Sequence, residues 1–309
     1  MIAAIVVLYY PDRLTTARLL SSLEGQVDTV IAVDNTPGIS ETMPLLFQEY
    51  CGPVEYIPLG SNNGIAEAQN IGIMESIRAG FTHVLLLDQD SNPSVGMVRR
   101  LLDAERMLQS KGEMVAVVAP QIIDEKTGVR PSAVAYKWFR ACEIYSKPGA
   151  VDPIRSENLI CSGSLIQTRV FNDIGLMRSD MFIDGVDTEW MLRSQNAGYS
   201  SYCIPDAVMI HNLGDGAILI LNKKLYVYSS VRNYYRVRNE VYLAGLKTMG
   251  WQWRAYALSR IPFHVIMYAA IANNRCEAIR LIIKGIVDGV FGRLGPLSEK
   301  YQVAKNDIE

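Results

Sequence analysis

The chain has 309 residues, 49% of them hydrophobic, enough for one large buried core or for a core with a sizeable extension. A formal net charge of −2 speaks against a general nucleic-acid binder, which carries a basic excess. Five scattered cysteines without a CxxC pair speak against a disulfide framework or a zinc knuckle and fit a reducing cytoplasm.

The first apolar run, residues 3–10 (AAIVVLYY), has no basic leader before it and no small-residue cleavage site after it. It therefore reads as a first buried strand and not as a signal peptide. Residues 13–26 place Leu14, Ala17, Leu20 and Leu23 on one helical face. A second strand, 29–35, ends in Asp34 and Asn35, a helix spans 39–51, and a third strand spans 54–60. Ser61-Asn62-Asn63-Gly64 reads as a polar cap opening a helix over 64–80. A fourth strand, 82–90, runs into Asp88-Gln89-Asp90, and a helix over 94–111 leads to a strand at 114–120.

This alternation predicts an α/β fold, a mostly parallel sheet flanked by helices on both faces. Ligands of such sheets bind outside the carboxyl ends of the strands. Three predicted strands end there in polar residues: Tyr9-Tyr10, Asp34-Asn35 and Asp88-Gln89-Asp90.

Beyond residue 120 the periodicity loosens. Residues 121–157 read as loops with a hairpin, 157–175 as a small-residue strand and a short helix, and 181–215 as a helix, a strand and a polar loop. From residue 224 the chain reads as a helical region rich in Tyr, Arg and Trp. No apolar stretch reaches the ~18–20 residues of a membrane span. The nearest one, 255–272, carries Arg260, Pro262 and His264.

Two acidic clusters and one histidine carry chemistry. Asp88 and Asp90 fit a strand-end turn and equally a site for Mg²⁺ or Mn²⁺, which take hard oxygen ligands. Asp184, Asp187 and Glu189 fit solvated acids at a helix start, or a general base for a hydroxyl nucleophile. His211 ends an apolar strand, where it reads either as a satisfied structural residue or as a metal or phosphate contact.

The segments "VIAVDNT", "NNGIAEAQNIGI", "VLLLDQDS", "CSGSLIQTRVFNDIGLM", "FIDGVDTEWMLRSQNAGY" and "IHNLGD" stand in the order found in inverting family 2 glycosyltransferases of the GT-A (nucleotide-diphospho-sugar transferase) fold. "SSVRNYYRVRNEVYL" and "GIVDGVFGRLGPL" are similar to the rhamnosyltransferase branch, and the resemblance covers residues 3–295. It implies a GT-A catalytic domain over 1–223, with a nucleotide-binding half to about 120 and an acceptor half beyond, followed by a helical C-terminal region over 224–309.

The same resemblance implies that Tyr9 and Asp34 hold the nucleotide base and that Asn63, Gly64 and Asn70 border the nucleotide. It puts Asp88 near the nucleoside, and Asp90 with His211 on Mg²⁺ or Mn²⁺. On "VDTEWMLR" it makes Asp187 the general base and Arg193 the arginine of the motif, a nucleotide-sugar-binding residue. Val186 and Trp190 depart from the motif, which leaves Asp184 and Glu189 as competitors for the base.

The implied reaction moves L-rhamnose from dTDP-L-rhamnose to a glycan or lipid-linked acceptor with inversion, in bacterial surface polysaccharide synthesis. UDP-galactofuranose is an alternative donor. A sugar-1-phosphate nucleotidyltransferase and a non-catalytic carbohydrate- or membrane-binding module are alternatives of other classes. The first lacks its Gly-rich phosphate loop in "VVLYYPDR", where a nicotinamide enzyme's GxGxxG is also missing. For residues 230–295 three readings stand together: helices packed on the catalytic domain, peripheral contact at the inner face of the plasma membrane, and a homo-oligomer interface. Arg232, Arg236 and Arg238 are candidates there for an acceptor phosphate.

Overall fold

The computed structural model describes residues 1–38, 42–50, 52–124, 128–129, 131–211, 217–220, 223–226, 229–271 and 274–298. The first half alternates as expected: β1 (Ile2–Leu8), α1 (Arg13–Leu23), β2 (Thr29–Asp34), α2 (Thr42–Glu49), β3 (Val54–Pro58), α3 (Ile65–Arg78) and β4 (His83–Asp88). A three-residue strand, β5 (Ser91–Pro93), precedes α4 (Met97–Ser110) and β6 (Val115–Asp124). Then come β7 (Gly128–Val129), the hairpin β8 (Ala133–Lys137) and β9 (Arg140–Ile144), β10 (Ile154–Ser156), β11 (Ser164–Gln167) and α5 (Thr168–Ile174). After α6 (Val186–Asn196) and β12 (Ser200–His211), a hairpin of β13 (Ala217–Ile220) and β14 (Lys223–Tyr226) leads to α7 (Ser230–Gly245), α8 (Trp251–Ile271) and α9 (Arg275–Val290).

The main sheet has the order β10-β12-β6-β11-β4-β1-β2-β3. β3, β2, β1 and β4 pair in parallel, and β12 pairs in parallel with β6; β11 is antiparallel between β4 and β6. All seven residues of β1 are buried, so its unbroken apolar run is what a central strand covered on both faces needs. Each such Val, Leu or Ile contributes roughly 1.5–3 kcal/mol by leaving water.

The inward face of α1 differs from the sequence expectation. Thr16, Leu19, Leu20 and Leu23 are buried, whereas Leu14 is 80% exposed. Asp12 caps the helix by accepting the Thr15 N–H, which puts Leu14 in a solvent-facing first turn. The buried Thr16 is satisfied because its hydroxyl donates to the Asp12 carbonyl at 2.8 Å.

The expected polar cap of α3 is also corrected. The cap is Gly64, at φ 85°, with no side-chain cap bond, and the orphan Ile65 N–H donates to the Phe182 carbonyl at 2.9 Å. A Cβ on Gly64 would lie 2.5 Å from that carbonyl oxygen. Gly64→Ala therefore combines a left-handed backbone penalty with overpacking, an expected loss of about 3 kcal/mol. Chemical denaturation of the variant measures it, and a change below 1 kcal/mol, roughly the cost of a mild substitution, would contradict this packing.

The C-terminal helices share the core of the preceding sheet and helices. Leu243, Ala244, Met249, Trp253 and Ala257 join one buried cluster with Ile5, Leu86, Val186 and Trp190. No helix among the described residues is long and apolar enough to cross a membrane. Cys142, Cys161, Cys203 and Cys276 are free thiols.

Candidate active site

At the carboxyl edge of the sheet, neighbouring strand ends are tied together by side chains. Gln89, the middle residue of Asp88-Gln89-Asp90, accepts the Tyr9 N–H (2.8 Å) and donates to the Tyr9 carbonyl (3.2 Å). The buried Asp34 accepts the Tyr56 hydroxyl at 2.7 Å and the Thr36 N–H at 3.0 Å. Burial, then this bond, pushes the Tyr56 hydroxyl pKa up. Asn35 donates to Asn62 Oδ1 and accepts the Asn63 N–H. Tyr9, Asp34, Asn63 and Gly64 thus lie along one polar edge.

The second half of the site depends on β5. This strand directly follows Asp90 and pairs antiparallel with the end of β12, setting Ser91 opposite His211. As a result Asp88, Asp90 and His211 present one ligand atom each within 4.8 Å of one another. His211 Nε2 lies 3.5 Å from Asp88 Oδ2, and its Nδ1 lies 3.3 Å from Asp90 Oδ1. The proximity is not hydrogen-bond geometry: Nδ1 is buried and has no hydrogen-bond partner. Two carboxylates and an imidazole nitrogen suit a divalent cation.

The electrostatics agree. Burial raises the pKa of Asp88, His211 opposes the rise, and the Asp90 carboxylate adds to it; burial raises Asp90 likewise, against His211. Two acids held this way ionise together only beside positive charge. Ser162, on the loop before β11, accepts the Asp88 N–H (3.1 Å) and bonds Ser91 Oγ (2.6 Å), linking the Asp88 backbone to the side chain of the residue that follows Asp90. Sequence reading missed Ser162, whose only local signal was the polar small-residue run Cys161-Ser162-Gly163-Ser164, and gave Gln89 no part of its own within Asp88-Gln89-Asp90.

The three acids of "DGVDTE" have different partners. Glu189 is buried, and both its oxygens accept from Arg193, Nε at 2.9 Å and Nη2 at 3.0 Å. Asp184 is paired with Arg232 of α7, Nε to Oδ2 at 3.2 Å. Asp187 is half-buried in the first turn of α6, accepts the Thr188 N–H at 2.8 Å, and has no basic partner among the described residues. Burial pushes its pKa up to about 6, the Thr188 bond opposes, and the Asp184 and Asp88 carboxylates add to the rise. Cys161 is kept protonated, its thiol pushed up by burial and then by Asp187 and Asp88.

Two residues expected at the nucleotide have structural parts. The buried Asn70 amide donates to the Met177 carbonyl (2.8 Å) and accepts the Met177 N–H (2.9 Å), pinning α3 to the loop after α5. Arg193, besides holding Glu189, donates to the carbonyls of Ile174 and Leu176. Both side chains bond nearby backbone. Arg238, a candidate for an acceptor phosphate, is 1% exposed and donates to Met181, Gly295 and Asn239. Arg236 lies over the Tyr268 ring, 5.9 Å from its centroid.

No family model matches this chain. Over 295 residues it is 31% identical to dTDP-rhamnosyl transferase RfbF of Shigella flexneri, covering 95% of this chain and 97% of that protein. The chain belongs to the family 2 glycosyltransferases of GT-A fold, in their rhamnosyltransferase-like branch. Membership sets aside the nucleotidyltransferase and the non-catalytic module.

Solved structures share the fold of this glycosyltransferase at low identity. It is similar to GalNAc-T7 with UDP, GalNAc and Mn²⁺ (TM-score 0.61, 14% identity, 94% of this chain and 56% of that one). It is similar also to Staphylococcus aureus TarS (TM-score 0.52, 13%, 93% and 54%) and to TarS 1–349 (0.51, 13%, 95% and 82%). The glycosyltransferase spans about half the length of the first two.

Proposed function

We propose that this glycosyltransferase moves L-rhamnose from dTDP-L-rhamnose to a hydroxyl of a glycan or lipid-linked oligosaccharide, inverting the anomeric centre, in bacterial surface polysaccharide synthesis. The observation that carries this reading is one sheet edge holding both a three-ligand cation cluster and a carboxylate with a pKa near 6. The rhamnose donor is supported by the 31% identity to a dTDP-rhamnosyl transferase.

In the proposed site, Tyr9, Asp34, Asn63 and Gly64 hold the nucleoside, with Asp88 near the ribose. Asp90 and His211, assisted by Asp88, hold Mg²⁺ or Mn²⁺. A divalent cation there supplies positive charge to the departing nucleoside diphosphate. Asp187 takes the proton of the acceptor hydroxyl, whose oxygen attacks the anomeric carbon opposite the leaving group. Neither competitor is as well suited to accept it. Glu189 is neutralised by a bidentate arginine, and Asp184 by Arg232. A base is most effective with a pKa close to the working pH. The catalytic unit is residues 1–223, nucleotide-binding to about 120 and acceptor-binding beyond.

A donor screen tests the function: nucleoside-diphosphate release is measured against dTDP-rhamnose, UDP-galactofuranose, UDP-GalNAc and UDP-GlcNAc with Mn²⁺. Release from dTDP-rhamnose at least tenfold above the rest supports the reading. Preference for a UDP-sugar would keep the fold and overturn the donor.

Residues 230–295 are proposed to meet the inner membrane surface, where a lipid-linked acceptor lies. α8 exposes Phe263 and Ile266, α9 exposes Ile283 and Val290, and Phe291 just after α9 is exposed as well. Every exposed charge among the described residues of 229–298 is basic: Lys247, Arg275, Arg280 and Arg293. Exposed apolar side chains accompanied by exposed basic ones suit anionic headgroups. Flotation is expected with anionic vesicles and not with neutral ones, and to weaken with salt. Self-association without flotation would favour a homo-oligomer interface.

A further inference from the structure

The segment Met181–Gly185 runs from a short 3-10 helix after α5, Ser179–Met181, to α6, and it carries a concentration of backbone strain. Phe182 has φ 67° and ψ −66°, and the Ile183 N–H donates across it to the Met181 carbonyl at 2.8 Å. This is a γ-turn of the rare positive-φ kind, and Asp184 follows at φ 64°. Neither residue is glycine, so the surroundings must hold both conformations. Asp187 stands two residues beyond the segment, in the first turn of α6.

What holds the turn is one face of α7. The Asn239 amide, 1% exposed, donates toward three carbonyls of this segment: Met181 (3.0 Å), Ile183 (2.8 Å) and Asp184 (2.8 Å). The buried Arg238 adds a bond to Met181 at 2.8 Å and, through Nε, orients Asn239 by donating to its Oδ1 at 2.9 Å. Tyr235 stacks on Phe182 with centroids 4.8 Å apart, and Arg232 pairs with Asp184. Behind α7, α9 packs closely because Gly289 has no Cβ; one there would sit 2.5 Å from the Arg238 carbonyl oxygen. The helix is thereby fixed from the back while it grips the turn from the front.

We infer that Asn239 is a positioning residue for the transfer reaction: through three carbonyls it holds the strained turn that presents Asp187 to the acceptor. This rests on the reading of Asp187 as the base. The C-terminal helices are then part of the catalytic apparatus, acting through backbone geometry and not by touching substrate. Three carbonyls converging on one amide in a closed site repel one another without it.

The test uses Asn239→Asp in the full chain. This substitution keeps the volume, removes the N–H donors, and keeps an oxygen facing Arg238. Steady-state transfer is measured over pH 5–9, together with dTDP affinity by calorimetry and the folded fraction by near-ultraviolet circular dichroism. Expected are a kcat about 100-fold lower, donor KM and dTDP affinity within about threefold of wild type, and an acidic limb of kcat displaced from its wild-type position. A kcat within about threefold of wild type overturns the inference. A loss matched by an equal fall in dTDP-binding protein does the same. If Asp at this buried position unfolds the chain, Asn239→Ser removes the amide without adding charge and is judged by the same criteria. Failure here is separable from failure of the base: an active Asp187→Asn enzyme removes the base assignment, whereas an unaffected Asn239→Asp enzyme removes only the clamp.

Discussion

Asp187→Asn is expected to lower kcat by about 10²–10⁴-fold, the usual contribution of a positioned general base, while dTDP binding stays near wild type. The size of the effect follows from the acid's surroundings. Glu189 and Asp184 each have an arginine, so neither is available to take over the proton. The pH profile follows from the same environment. With a pKa raised to about 6, mainly by burial, the base is protonated below that value, and kcat rises with pH through it. Asparagine removes this limb.

A second consequence concerns stability. The unfolded carboxyl titrates near ~3.9, so the folded state binds the proton more tightly than the unfolded one. Above pH ~6 the native protein carries the full cost of a desolvated carboxylate; below pH ~4 both states are protonated and the cost is gone. Its ceiling is about 3 kcal/mol for a shift of roughly two units, reduced by solvent screening because Asp187 is only half-buried. Asp187→Asn should therefore raise Tm at pH 7.5 and leave it unchanged near pH 4. Retained transfer, or a lower Tm at pH 7.5, would remove Asp187 from the role.

The second large effect is expected at the cation cluster. Calorimetry of wild type should show dTDP affinity rising with Mn²⁺ or Mg²⁺ and falling after chelation. Asp90→Asn and His211→Ala should each make that affinity indifferent to the metal, with transfer lowered by about 100-fold or more, since cation stabilisation of a leaving group is worth several kcal/mol. His211→Ala separates this from general damage. The side chain is buried with an unpartnered Nδ1, so removing it takes away a ligand without breaking a hydrogen bond at that atom. Metal-dependent binding that survives both substitutions would show that the cluster is not the cation site.

Much of the fold was readable because its signals are local. β1, β2 and β4 are short apolar runs ending in polar residues, and the α/β alternation follows from their spacing. The face of α1 was misread because Leu14 fits the helical period, while the Asp12 cap places it in an outward first turn. The site was only half readable. Asp88-Gln89-Asp90 marked a strand end, but nothing in the chain's local pattern tied it to His211, more than a hundred residues away. Their meeting depends on β5, three residues too short to read from periodicity.

Sequence by itself determined the alternating sheet, the polar strand ends that define its ligand edge, and the small set of acids and histidine from which a site can be built. These follow from hydrophobic burial and side-chain chemistry, which each residue carries wherever it lies. Tertiary structure decided how those residues divide the work. It gave Glu189 and Asp184 their arginines, turned Asn70 and Arg193 to backbone, and brought α7 onto the turn before Asp187. A carboxylate's charge, pKa and freedom depend on the groups around it in space, and those come from distant parts of the chain.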